Sequence, residues 1–290
     1  MAFALRSSSW PLQWPLAAIA VAAVLYYLGG RASATPATAV KRWRGAAFYA
    51  GLLGLVVAVD SPVDAYAGRL FFVHMFQHVL LAMIAPPLLV IGRPWPRLSR
   101  PLPLSARRPL ARIMLAGPTL LPVRRAFEWL ASPLPAFALF NGVLLAWHVP
   151  ALYDLTLKDG LVHDLEHGLF FGTALLFWTN VIPTTGRPRL SEGQRVAYTV
   201  AGLLVGWLLA VVLGLAPDPL YTVYAALGHR PLGLSALSDQ HLAAGIMWVP
   251  ASIPYSIAIY VAAYAWLDPG SSVRGQRRAV VVDDLRPREI

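Results

Sequence analysis

The chain contains no cysteine, so disulfide frameworks, thiolate metal sites and thiol nucleophiles are excluded together. Any metal it holds must be bound by histidine, carboxylate, methionine or backbone. Charge is scarce as well: only 13% of the 290 residues are Asp, Glu, Lys or Arg, while 57% are hydrophobic and the mean hydropathy is +0.57. A water-soluble domain of this length could not cover itself with so little polar surface, which leaves an integral membrane protein. Acidic residues are the scarcer sign, 14 against 24 basic, for a formal net charge of +10. That balance suits either nucleic acid or a membrane topology, and the positions of the arginines decide between them.

Seven stretches are apolar enough to span a bilayer, at about 12–28, 46–59, 71–91, 134–149, 162–182, 196–216 and 240–266. The expected fold is therefore all-α, a polytopic membrane bundle of about seven transmembrane helices. Pro86 and Pro87 in the third stretch, and Pro250 and Pro254 in the seventh, each remove a backbone donor and predict kinks. The first stretch also resembles a signal peptide with a small-residue cleavage site near Ala34. Arg31, Lys41, Arg42 and Arg44 follow it, however, and argue for an uncleaved span.

With seven spans the loops alternate sides, and the basic residues segregate. One side carries those four, then eight between Arg93 and Arg125, three from Arg187 to Arg195 and five from Arg274 to Arg288, making twenty of the 24. The other side has only Arg6, Arg69, Lys158 and Arg230. The crowded side is expected in the cytoplasm, with the N-terminus outside and the C-terminus inside. The basic charge is thus topology, and nucleic acid is not an expected partner. Residues 1–267 read as the transmembrane domain and 268–290 as a polar, mobile cytoplasmic tail. The connection from Arg93 to Pro133 reads as one or two segments lying on the inner leaflet. Gly202, Gly206, Ala210 and Gly214 form a small-residue stripe that admits a close neighbouring helix.

All seven histidines fall on the sparse, outer side. His74 and His78 open the third stretch, His163 and His167 the fifth, and His241 the seventh; His148 closes the fourth and His229 lies in an outer loop. A four-residue spacing puts both imidazoles of a pair on one helical face, about 6 Å apart along the axis. Two such pairs could supply four nitrogens to one metal ion. Polar groups at membrane depth are costly unless paired, so His74, His78, His163, His167, His148 and His241 are the ligand candidates. Gln77, Asp164, Glu166, Asp239 and Gln240 are placed to orient them. Met75 is open between packing and soft-metal ligation.

Four blocks, "HMFQHVLLAMIAPPLLVIG" (74–92), "WHVPALYD" (147–154), "HDLEHGLFFGTALLFW" (163–178) and "SDQHLAAGIMWVP" (238–250), resemble the CtaG family of integral membrane proteins required for assembly of caa-type cytochrome c oxidase. The resemblance covers about 45–266. It implies a multi-pass protein of the bacterial plasma membrane, oxidase subunits as partners and copper as the favoured ion, with zinc also open. The family pattern carries over to His74, His78, His148, His163 and His167, and to Asp239 and Gln240. His241 departs from the pattern.

No enzymatic role is expected. His163, Glu166 and His167 do spell H-x-x-E-H, the inverted zinc-peptidase motif, but it is short and no further peptidase feature accompanies it. A haem held between the histidine pairs, an intramembrane metallopeptidase and a metal-free assembly scaffold are the alternatives.

Overall fold

The computed structural model describes residues 14–32, 39–113, 117–183 and 188–268. The proposed cleavage site, Arg6, Arg187 and the tail beyond 268 lie outside them. Every regular element among the described residues is helical. Each apolar stretch coincides with a helix: α1 (Trp14–Arg31), α2 (Ala39–Val59), α4 and α5 (Phe71–Val79 and Ala85–Gly92), α9 (Pro133–Trp147), α11 (Gly160–Val181), α12 (Glu192–Leu215), and α14 and α15 (Ala236–Trp248 and Ser252–Leu267). Short helices α3 (Pro62–Ala67), α6 (Pro94–Ser99), α7 (Leu104–Ala111), α8 (Leu121–Leu130), α10 (Pro150–Lys158) and α13 (Thr222–Ala225) lie between them.

By length and apolarity, four helical segments suffice to cross a membrane: Arg42–Ala67, Phe71–Gly92, Glu192–Leu215 and Ala236–Leu267. A fifth is added if α8 and α9, which meet at 72°, count as one broken span. The others fall short for separate reasons. The apolar part of α1 is brief, and α11, though 22 residues long, carries His163, Asp164, Glu166 and His167 in its first turns.

Phe71–Gly92 is the central helix, 78% buried, whereas the other three spans are only 22–28% buried. Their outer faces show continuous apolar stripes, such as Leu204, Leu208, Val212 and Leu215 on α12 and Ile253, Ile257, Val261 and Tyr264 on α15. Such stripes suit hydrocarbon, not water. The helix α8 likewise exposes Leu121, Val123, Phe127 and Trp129 beside Arg125, and its bend against α9 lays it crosswise.

The central helix breaks where the prolines require. Between α4 and α5 the chain widens into a π-helical turn, Leu80–Ile84. Pro86 has no N–H, so the carbonyl four residues earlier, Ala82 O, loses its helical donor. Trp178 on α11 donates its indole Nε1–H to that oxygen at 2.9 Å. Pro250 separates α14 from α15, while Pro254 falls in the first turn of α15, where no intrahelical donor is needed. The helix α14 starts earlier than the apolar stretch at 240: Ser235 is its cap, accepting from Ser238 N at 3.0 Å.

The small-residue stripe has uneven consequences. A Cβ on Gly202 would stand 3.0 Å from Phe177 and 3.4 Å from Tyr255, so aromatic rings occupy its surface. Gly214 faces Ala244 on α14, whereas nothing lies within 4 Å of a Cβ on Gly206.

Candidate metal centre

The site is assembled at the end of the bundle where α4 and α11 begin. The helix α4 has no capping side chain of its own, since its N-cap is Leu70. Asp239 on α14 supplies the cap: its two carboxylate oxygens accept from Phe71 N and Phe72 N, each at 2.9 Å. The helix α11 is capped locally by Asp159, which accepts from Leu161 N and Val162 N. Both caps fix first turns that carry histidines, at His74 and at His163.

Histidines of α4 and α11 lie together at this end, although His78 falls outside the tightest group. His74, His163, Glu166 and His167 each offer one ligand atom, and these atoms all lie within 4.8 Å of one another. His74 and Glu166 are fully buried. Glu166 lies between two histidines of α4, with Oε2 3.7 Å from His74 Nε2 and Oε1 3.6 Å from His78 Nε2. These separations are too long for hydrogen bonds. They approach the roughly 3.3 Å that separates two ligand atoms sharing a tetrahedral ion at ordinary bond lengths. His74 Nε2, both His78 nitrogens, both Glu166 oxygens and His167 Nε2 are buried without a hydrogen-bond partner. A buried carboxylate facing unpartnered imidazoles is costly alone, and one transition-metal cation could accept a lone pair from each of His74, Glu166 and His167. The donor set therefore fits an imidazole- and carboxylate-binding metal.

Behind His74 stand two tyrosines that sequence reading had not singled out. Tyr153 Oη is 2.8 Å and Tyr224 Oη 3.1 Å from His74 Nδ1. Tyr224 donates its own hydrogen to Ala67 O at 2.5 Å, so toward the ring its oxygen accepts. Burial pushes both phenols above their ordinary range, so they remain protonated. A hydrogen on Nδ1 satisfies these oxygens and leaves the Nε2 lone pair aimed at the cluster. Asp154, adjacent to Tyr153, accepts from Thr222 N and Oγ1 and from Val223 N, which docks α13 and so places Tyr224. Tyr153 and Asp154 belong to the WHVPALYD block, but no local periodicity links them to His74.

The remaining candidates are placed differently. His148 caps the end of α9; its Nδ1 lies 2.7 Å from Leu144 O and its Nε2 faces Met75. The His78 ring lies 5.7 Å from that of His167 and 6.4 Å from that of His148. Gln77 turns toward α2 and α3, donating to Ala58 O (2.6 Å) and Asp64 Oδ1 (2.9 Å). Gln240 braces the end of α12, donating to Leu213 O and accepting from Leu220 N. Asp239 acts on the backbone of α4, not on an imidazole. Asp164, His241 and His229 are exposed, and none belongs to the four-residue group.

An all-helical bundle with membrane-spanning helices and an imidazole–carboxylate cluster buried at one end defines a polytopic membrane protein. The chain belongs to the cytochrome c oxidase caa3 assembly factor family, Caa3_CtaG, which matches residues 24–268. That match begins earlier than the quoted blocks suggested and takes in the second half of α1. The chain is 30% identical over 231 residues to uncharacterized proteins of Mycobacterium bovis and Mycobacterium tuberculosis, covering 76% of this chain and 33% of theirs. An uncharacterized protein of Mycobacterium leprae is 27% identical over 246 residues, or 80% of this chain and 36% of that protein. The chain thus spans about a third of the length of these relatives. No solved structure matches it.

Proposed function

We propose that this chain serves cytochrome c oxidase assembly by holding a copper ion, as cargo for the oxidase, on His74, His163, Glu166 and His167 with His78 beside them. Family membership supports the assembly role. The observation that carries the metal is the convergence of four ligand atoms within 4.8 Å, with the Glu166 oxygens and two imidazole nitrogens of that group buried and unpartnered. In this reading the protein is a carrier in the bacterial plasma membrane, not an enzyme. Glu166 sits between histidines as counter-charge and ligand, where a peptidase would need it free to activate water. Seven helices cross the bilayer, the N-terminus and the site face outward, and the arginine-rich loops and C-terminus lie in the cytoplasm, as the distribution of basic residues supports. Zinc would suit the same donors, and metal analysis separates the two ions.

Purified wild-type protein and a His163→Ala, His167→Ala variant are loaded with Cu(II) or Zn(II), desalted and assayed for bound metal. Near-stoichiometric copper in the wild type and its loss in the variant are expected. Equal, near-zero metal in both would leave a metal-free scaffold as the function.

A further inference from the structure

Beside the histidine–glutamate cluster lies a pair of groups with a different chemistry. His148 Nδ1 lies 2.7 Å from Leu144 O, and a carbonyl can only accept, so Nδ1 carries the hydrogen. In the neutral ring Nε2 is then a bare lone pair. That nitrogen points at Met75 Sδ, 3.3 Å away. A thioether has no hydrogen to give, so two acceptors face each other across a buried contact. Charging the ring to supply a proton would place an imidazolium beside Met75 and Phe170 with no charged partner at that nitrogen. A soft cation satisfies both atoms.

We propose that Met75 and His148 form a second metal site, specific for a soft monovalent ion such as Cu(I), distinct from the harder cluster around Glu166. The proposal rests on reading the chain as copper-handling. Thioether sulfur favours Cu(I), whereas carboxylate favours harder divalent ions, so the two sites sort by oxidation state. The surroundings fit. Met75 and His148 line a cavity of about 50 Å³ together with His78, Met83 and Met247, three of the chain's five methionines. That volume exceeds the roughly 10–15 Å³ needed by a single water, so an ion has room. His78 lines the same cavity and also faces Glu166 at 3.6 Å, so one side chain borders both sites.

The test is X-ray absorption on full-length protein loaded anaerobically with one equivalent of Cu(I), beside competition titration against a chromophoric Cu(I) chelator. Sulfur in the first shell of the wild type is expected. Met75→Leu, a nearly isosteric change, should remove that sulfur and weaken Cu(I) binding at least tenfold while leaving Co(II) binding at the Glu166 cluster unchanged. A nitrogen- and oxygen-only shell in the wild type would overturn the second site yet leave the chain a copper carrier, and this reading needs no variant to fold. Sulfur that persists in Met75→Leu would also overturn it. Failure to bind any copper would remove both readings.

Discussion

Asp239 and Phe71 are joined by a hydrogen bond across 168 positions of sequence: a carboxylate on α14 caps the helix that carries His74. Replacing Asp239 with Ala leaves the buried Phe71 N and the half-buried Phe72 N without their acceptors. A loss of about 1–3 kcal/mol is expected. Thermal unfolding in detergent should show it. Asp239→Asn, which keeps an oxygen, should retain about half of the stability, and a melting curve unchanged in both variants would contradict the capping role.

Trp178 and Pro86 should be energetically coupled. Trp178→Phe removes the donor that satisfies Ala82 O, at an expected cost of about 1–3 kcal/mol. In a Pro86→Ala background the backbone has an N–H again, so the same substitution should cost less. A double-mutant cycle with additive losses would count against this account of the widened turn.

Along one face of α12, two glycines should respond oppositely. Gly202→Leu drives a side chain into Phe177 and Tyr255 and should destabilise by about 1–3 kcal/mol. Gly206→Ala meets open space and gains helix propensity, so it should be neutral or stabilising. Equal melting temperatures for the two variants would refute the packing read from the glycine stripe.

The absence of native cysteine makes topology directly readable. His229 and Arg100 are both exposed. His229→Cys should react with a membrane-impermeant maleimide in intact cells, and Arg100→Cys only after permeabilisation. The opposite pattern would invert the orientation.

Much of the scaffold was legible because hydropathy and four-residue spacing are local. His74 with His78, and His163 with His167, declare their shared faces within one helical turn, and the two faces do meet. Glu166 was legible only as an orienting group among the histidines, while the imidazoles its oxygens face at 3.6–3.7 Å are on α4. Tyr224 and Tyr153 were not legible at all, since their bonds to His74 span 150 and 79 positions and no periodicity encodes them. Gln77 lies three residues after His74, yet it points at Ala58 and Asp64: a helix face is broad enough to serve two neighbours. His241 shows the reverse limit, being adjacent in sequence to the buried Gln240 but exposed.

The central helix is held at both ends. Asp239 fixes its beginning; at its end Tyr26 donates to Gly92 O at 3.0 Å, and the next residue, Arg93, turns the chain through a left-handed conformation with φ 46° into α6. From there Arg97 lies over the Tyr26 ring at 4.6 Å, closing the clamp. Between these two anchors the helix departs from α geometry in the widened turn, which begins two residues after His78. The irregular turn and the histidine-bearing turn of the central helix are therefore neighbours, and whatever repacks the one displaces the imidazole of the other.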